Sequence, residues 1–255
     1  MKKTIQLLFF PFLFCGILNA HQNSTSNELQ GKWVKMGHNG PVTLVFKSNG
    51  TVEVDFGGDQ NIDVVTNYET SGNTITFNDK EGAMCPDPGV YKFEKNNYYL
   101  SFDLKEDMCN GRIKMTMGYW TKPNFEELIG ELSQKISDSE NPELNLNRAR
   151  IYMALGKSKE AKADLDVYLE ENPNDALALI NRAGTQFPTD MKGVVSDCNK
   201  AIALDPENKN AFFLRGLARY ELGQKEQACE DFSRAIKLGF SILKIAEEKR
   251  CAEFW

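Results

Sequence analysis

The sequence predicts a two-part chain: an antiparallel β-barrel of about eight strands, followed by an all-α solenoid of helical hairpins. Three observations carry that expectation. Apolar residues recur at every second position from Gly31 to about Trp120, the period becomes helical beyond Lys122, and the helical part repeats itself about every 34 residues. With 255 residues, 41% of them hydrophobic and 26% charged, the chain has enough apolar material for two cores.

The first segment reads as a signal for export. Met1, Lys2 and Lys3 lead into Leu7, Leu8, Phe9 and Phe10, and Pro11 breaks an apolar run too short to span a bilayer. We assign 1–20 to a secretory signal peptide and 21–30 to a flexible N-terminus. The basic, short form implies bacterial export, to the periplasm or to the medium. Cys15 leaves lipidation as the alternative to ordinary cleavage, although the bulky Phe14 before it disfavours a lipid-acceptor site. Loss of Lys2 and Lys3 moves the formal charge from −6 to −8, and no basic cluster offers the footprint that nucleic acid needs. No span across a membrane is expected elsewhere.

Strands account for 31–122. Val42, Leu44 and Phe46 alternate with polar neighbours, as do Val52, Val54 and Phe56, then Tyr98, Leu100, Phe102 and Leu104, and finally Ile113, Met115, Met117 and Tyr119. Ser48-Asn49-Gly50, Gly57-Gly58-Asp59, Ser71-Gly72-Asn73 and Asn96-Asn97 supply tight reversals between them. Hairpins in that number can remove their exposed edges by closing. Gly31-Lys32-Trp33 at the first strand and Asn110-Gly111-Arg112 at the last resemble the lipocalin and calycin barrels. That resemblance implies structural roles for Trp33, plugging one barrel end, and for Arg112, stacked over it as a cation on an aromatic face.

Pro123 ends the strand pattern and Asn124 can cap a following helix, so 123–255 form the second part. Its clearest repeat runs from Ala211 through Arg215, Gly216 and Tyr220 to Gly223, Ala228, Phe232 and Ala235. This strongly resembles a tetratricopeptide repeat (TPR). Arg148, Ala149, Tyr152, Gly156, Ala161 and Leu165 align as one earlier copy, and Arg182, Ala183, Val194 and Cys198 as another, giving about three repeats at 142–175, 176–208 and 209–240. The middle copy carries Phe187-Pro188-Thr189-Asp190 where the others have a Gly turn, which predicts a short or kinked first helix. Helices at Phe125 to Ser137 and Ser241 to Phe254, the latter a C-terminal capping helix, close the stack.

Chemistry is sparse. His21 and His38 are the only histidines, and His38 sits in a loop. Gly156-Lys157-Ser158 ends like a phosphate loop but has Ile151 where the first Gly belongs and follows a helix. Neither a cofactor, a metal site nor catalytic residues are expected, and we read the chain as non-enzymatic. Among its six cysteines, Cys85 with Cys109 and Cys229 with Cys251 are expected to form disulfides, and Cys198 to be a buried small hydrophobe.

The expected function is protein binding on the concave face of the array, which the resemblance implies is lined by Leu146, Asn147, Arg150, Ile180, Asn181, Phe213, Leu217 and Tyr220. These mix apolar anchors with amide and guanidinium groups suited to an extended, as yet unidentified, peptide or protein. The alternative is a carrier of a small apolar ligand in the barrel, with the array as tether. The bulk of Phe46, Phe56, Phe77, Phe93, Phe102 and Met115 disfavours it, because an eight-stranded barrel is just wide enough to be filled by such side chains.

Overall fold

The computed structural model describes residues 27–79, 85, 87–240 and 251. The expected signal peptide, Cys15 and, but for Cys251, the capping helix expected at Ser241 to Phe254 lie outside them. Eight antiparallel strands, β1 (Gly31–Gly37), β2 (Gly40–Phe46), β3 (Thr51–Phe56), β4 (Val64–Ser71), β5 (Thr74–Asn78), β6 (Gly89–Lys95), β7 (Tyr99–Glu106) and β8 (Gly118–Thr121), form a closed barrel in chain order. One face of each strand fills the interior. Trp33 pairs with Leu44, Leu44 with Val54, Tyr91 with Leu104 and Leu100 with Trp120, and all of these side chains are buried. Phe46, Phe77, Phe93 and Phe102 are buried as expected, but Phe56 is 44% exposed at the rim, where β3 ends.

The last strand differs from the sequence expectation. Residues Asn110–Thr116 form a helix, α1, so β8 is only four residues long. Asp107 starts the helix by accepting from the Cys109 amide, and Ile113 and Thr116, one helical turn apart, then turn inward together. The helix roofs one end of the barrel: Trp120 Nε1 donates to the Thr116 carbonyl at 3.0 Å, and Lys35 Nζ donates to the carbonyls of Met115 and Met117. Met115 packs on the core from this roof and does not belong to a strand. The late start of β8 also reverses the expected facing, because Trp120 is buried in the core while Tyr119 lies on the other face.

The opposite end is plugged by a 3-10 turn at Asn27–Leu29, whose buried Leu29 accepts from Trp33 Nε1 at 3.1 Å. The cation over the Trp33 ring is Lys122, 3.5 Å from its centroid. Arg112 therefore does not take the role that the resemblance implied. It lies on α1, at the far end, held by Asp107 at 2.6 and 2.8 Å, by Asp79 at 3.0 Å and by the Asp87 carbonyl at 2.6 Å. Gly89 makes room for this cluster, since a Cβ there would stand 2.1 Å from Asp107 Oδ2. The disulfide Cys85–Cys109, with Cα atoms 5.5 Å apart, ties the entry of α1 to the loop before β6.

Seven helices follow among the described residues: α2 (Phe125–Asp138), α3 (Pro142–Ala154), α4 (Ser158–Glu171), α5 (Ala176–Gln186), α6 (Met191–Leu204), α7 (Lys209–Glu221) and α8 (Lys225–Lys237). Asn141, Asp175, Asp190 and Asn208 cap the starts of α3, α5, α6 and α7 with side-chain oxygens. The middle pair begins with the shortest first helix, 11 residues in α5 against 13 in α3 and α7. Leu165, Cys198 and Phe232 occupy the same place in successive second helices and are fully buried. Gly216 permits a close approach of α7 and α8, because a Cβ there would meet Phe232 Cε1 at 2.6 Å. Cys229 is bonded to Cys251, with Cα atoms 5.7 Å apart, and Cys198 is free and buried.

A charge ladder locks the hairpins together. Arg148 grips Asp164, Arg182 grips Asp197 and Arg215 grips Asp231, each through two bonds of 2.6–3.0 Å. Each arginine also reaches back one repeat, to Ser133, Asp166 and Asn199 respectively. Among the described residues, no helix is long and apolar enough to cross a membrane.

Candidate functional site

Strand alternation puts Phe93, Leu100, Phe102 and Trp120 inside the barrel and turns Lys92, Glu94, Tyr99, Ser101, Asp103 and Tyr119 the other way. This outer face of β6, β7 and β8 meets the concave face of the helical array. Tyr99 and Tyr119 form an edge-to-face pair with centroids 5.6 Å apart. Arg150 of α3 covers them, with its guanidinium carbon 4.5 Å from the Tyr99 ring and 5.8 Å from Tyr119, and donates to Tyr99 Oη at 2.6 Å. Tyr99 in turn donates to Glu94, whose carboxylate lies 4.0 Å from Arg150. Burial, followed by the Glu94 contact, pushes the Tyr99 phenol well above its ordinary range, so it stays a neutral donor.

Further bonds extend the contact along the array. Asn96 Nδ2 donates to Asn147 Oδ1 at 2.9 Å, Asn181 Nδ2 donates to Tyr119 Oη at 2.9 Å, and Lys209 Nζ donates to the Leu104 carbonyl at 2.5 Å. The first half of the groove is thus occupied by the chain's own barrel. Toward α7 the two surfaces diverge and leave a cleft of about 490 Å³. Ile180, Asn181, Phe213 and Leu214 line it from α5 and α7, Phe240 from the segment after α8, and Lys92, Glu94, Ser101 and Asp103 from the barrel.

The residues expected on the groove therefore divide. Asn147 and Arg150 are engaged with the barrel, Asn181 bridges barrel and cleft, and Ile180 and Phe213 line the cleft. Leu146 is only 3% exposed and packs in the helical core with Leu165 and Tyr168, because it lies on the face of α3 turned to α4. Leu217 and Tyr220 pack into the terminal cluster around Phe232 and Phe240. Phe213 joins that cluster as well, stacked on Phe240 at 4.7 Å, so it has both a packing and a lining role. Tyr99, Tyr119, Glu94 and Asp103 were missed, although outward aromatic residues on two neighbouring strands carry the signal for a covered face.

Residues 142–175 and 210–238 match family descriptions of the tetratricopeptide repeat. The helical half thus contains tetratricopeptide repeats at 142–175 and 210–238. Among curated proteins, TOM70 of Homo sapiens, a mitochondrial import receptor subunit, is 33% identical over 154 residues, covering 57% of this chain and 24% of that protein. RNA polymerase II-associated protein 3 of Homo sapiens is 27% identical over 155 residues, covering 52% and 23%. The chain spans about a quarter of the length of these relatives. Among solved structures, MamA aligns at 20% identity with a TM-score of 0.45, covering 49% of this chain and 74% of that one. The first TPR of Spaghetti, bound to an HSP90 peptide, aligns at 26% identity with a TM-score of 0.38, covering 46% and 89%.

Proposed function

We propose that this chain is an exported, non-enzymatic protein-binding scaffold whose partner enters the cleft between the barrel and the second half of the TPR groove. One observation carries the reading: the polar groove residues Asn147 and Arg150 are spent on the barrel, whereas the apolar residues near α7 face an open space. Leu177, 44% exposed, lies on its edge. Buried interface centres favour such apolar anchors ringed by polar groups. The similarity of the repeat region to the import receptor subunit supports a protein as the partner class.

The test is site-specific photo-crosslinking in the native host. A photoreactive residue at Leu177 should capture a defined partner, and one at Val167, 46% exposed on α4 and outside the cleft lining, should not. Capture from Val167 alone would overturn the reading. Detection of the mature protein in the periplasm or medium, and not in the cytoplasm, tests export.

A further inference from the structure

Two separate cores meet where the barrel docks on the repeats. Among the described residues, the buried apolar cluster of the barrel includes no residue of the helices, and the clusters of the helices include none of the barrel. The bonds across the contact are made by polar side chains. Arg150 donates to Tyr99 Oη at 2.6 Å, Asn96 to Asn147 at 2.9 Å, Asn181 to Tyr119 Oη at 2.9 Å and Lys209 to the Leu104 carbonyl at 2.5 Å. A contact of this polar kind within one chain resembles a transient interface, and relative motion of the two parts is its ordinary behaviour.

The geometry leaves room for such motion. Helix α3 rests mainly on β8, β7 and β1. Beside it lie the cleft of about 490 Å³ toward α7 and another of about 370 Å³ on the β1–β2 side, between Val34, Met36, Phe125 and Leu155. Along the chain, β8 ends at Thr121 and α2 begins at Phe125. Lys122 is held to the barrel over the Trp33 ring, so the exposed pair Pro123-Asn124 is the connection that can turn. Docking also carries a cost, because Arg150 is 9% exposed and its Nε has no hydrogen-bond partner among the described atoms. Water satisfies that group once the barrel moves away.

We propose that the barrel is a displaceable cap on the groove, an autoinhibitory contact that swings as a rigid body about Pro123-Asn124 and uncovers Asn147, Arg150 and Asn181 together. In the open state these groups face an extended polypeptide. A segment that takes them competes with Asn96, Tyr99 and Tyr119, so its apparent affinity is that of the open groove multiplied by the open fraction. The inhibitory meaning of the contact rests on the binding role proposed above, whereas the opening itself is read without any partner, so either can fail alone.

The test is chemical footprinting of the full oxidised chain. An arginine reagent, p-hydroxyphenylglyoxal, is followed at Arg150, and a thiol reagent applied in parallel is followed at Cys198, which is free, fully buried among the repeats and reports their unfolding. Arg150 should react about tenfold or more slower than free arginine, yet be protected about tenfold or more weakly than Cys198 is relative to a free thiol, as an opening short of global unfolding requires. Arg148, on the same helix but bound to Asp164, is the internal control. Tyr119→Phe removes the hydroxyl that Asn181 bonds and should speed modification of Arg150 about three- to tenfold. It should leave Arg148, the helical circular dichroism and the emission of the buried Trp33 and Trp120 unchanged. Asn147→Ala acts from the other side of the contact and keeps the test open should Tyr119→Phe fail to fold. Arg150 as well protected as Cys198 would overturn the proposal, since the barrel would then leave only when the repeats unfold. An unprotected Arg150, or a rate unchanged in both variants, would overturn it as well, and so would Arg148 accelerating together with Arg150, which is fraying of α3.

Discussion

Truncation of Arg150 tests whether the barrel is docked on the repeat array as the structure shows. Its residue is 9% exposed, its guanidinium donates to Tyr99 at 2.6 Å, and it covers two aromatic rings. A hydrogen bond involving a charged group contributes about 1.5–3 kcal/mol, and a partly desolvated cation on an aromatic face about 0.5–2 kcal/mol. Against this stands the burial of the charge, with Nε lacking a hydrogen-bond partner among the described atoms, whose removal returns about 1–3 kcal/mol. The balance predicts that Arg150→Ala loses about 2 kcal/mol. Urea unfolding followed by circular dichroism and tyrosine fluorescence measures the loss, and amide exchange locates it. Protection should fall in β7, β8 and α3 before it falls in α7 and α8. A change below about 0.5 kcal/mol, the range of an ordinary surface substitution, would refute the docking.

Gly216→Ala should destabilise the last repeat by about 1–3 kcal/mol, because its Cβ would stand 2.6 Å from Phe232 and 3.2 Å from the Ala228 carbonyl; thermal melts decide, and an unchanged midpoint contradicts the packing. Cys198, fully buried and with its thiol pushed up to about 12 mainly by desolvation, should resist maleimide at pH 8 in the folded protein and react in urea. The Lys35 shift predicts a pH effect of defined sign: the folded state releases its proton near pH 8 and the unfolded state near 10.5, so the unfolded chain binds more protons between these values and stability contributed by this site rises across that window. Lys35→Met should remove the rise, and a pH series of urea midpoints for both proteins checks it.

The two periods in the sequence told barrel from helices because side-chain periodicity is imposed by backbone geometry alone. Arg148, Arg182 and Arg215 were visible as a recurring position, yet their partners Asp164, Asp197 and Asp231 recur at nearly the same interval and complete a ladder that the repeat pattern already contained. Residues 110–116 show where periodicity fails. A short segment with Ile113, Met115 and Met117 satisfies a strand pattern, but the turn in which Asp107 accepts from the Cys109 amide, just before the helix, and a barrel end in need of a roof decide for a helix. That one difference displaced Arg112 from Trp33 and hid Tyr119 from the expected interface. Docking itself has no local signature, since it depends on two surfaces far apart in sequence, as with Asn96 and Asn147 or Asn181 and Tyr119.

Occupation of the groove by the barrel limits what a partner can be. An open TPR groove can cradle a helix or a long extended peptide, and a helix with its side chains is about 10–12 Å across. Here the polar residues that would hold such a ligand's backbone already hold Tyr99, Tyr119 and Asn96, and any ligand along α3 must displace them together with the buried Arg150 contact. The remaining cleft, about 490 Å³, is the size of a small-molecule pocket rather than of a helix groove. On the function proposed above, a protein partner that leaves the barrel docked would insert one or two apolar side chains between Phe213 and Ile180 and rest on the rim at Lys92 and Asp103, so that its recognition would depend on both halves of the chain at once.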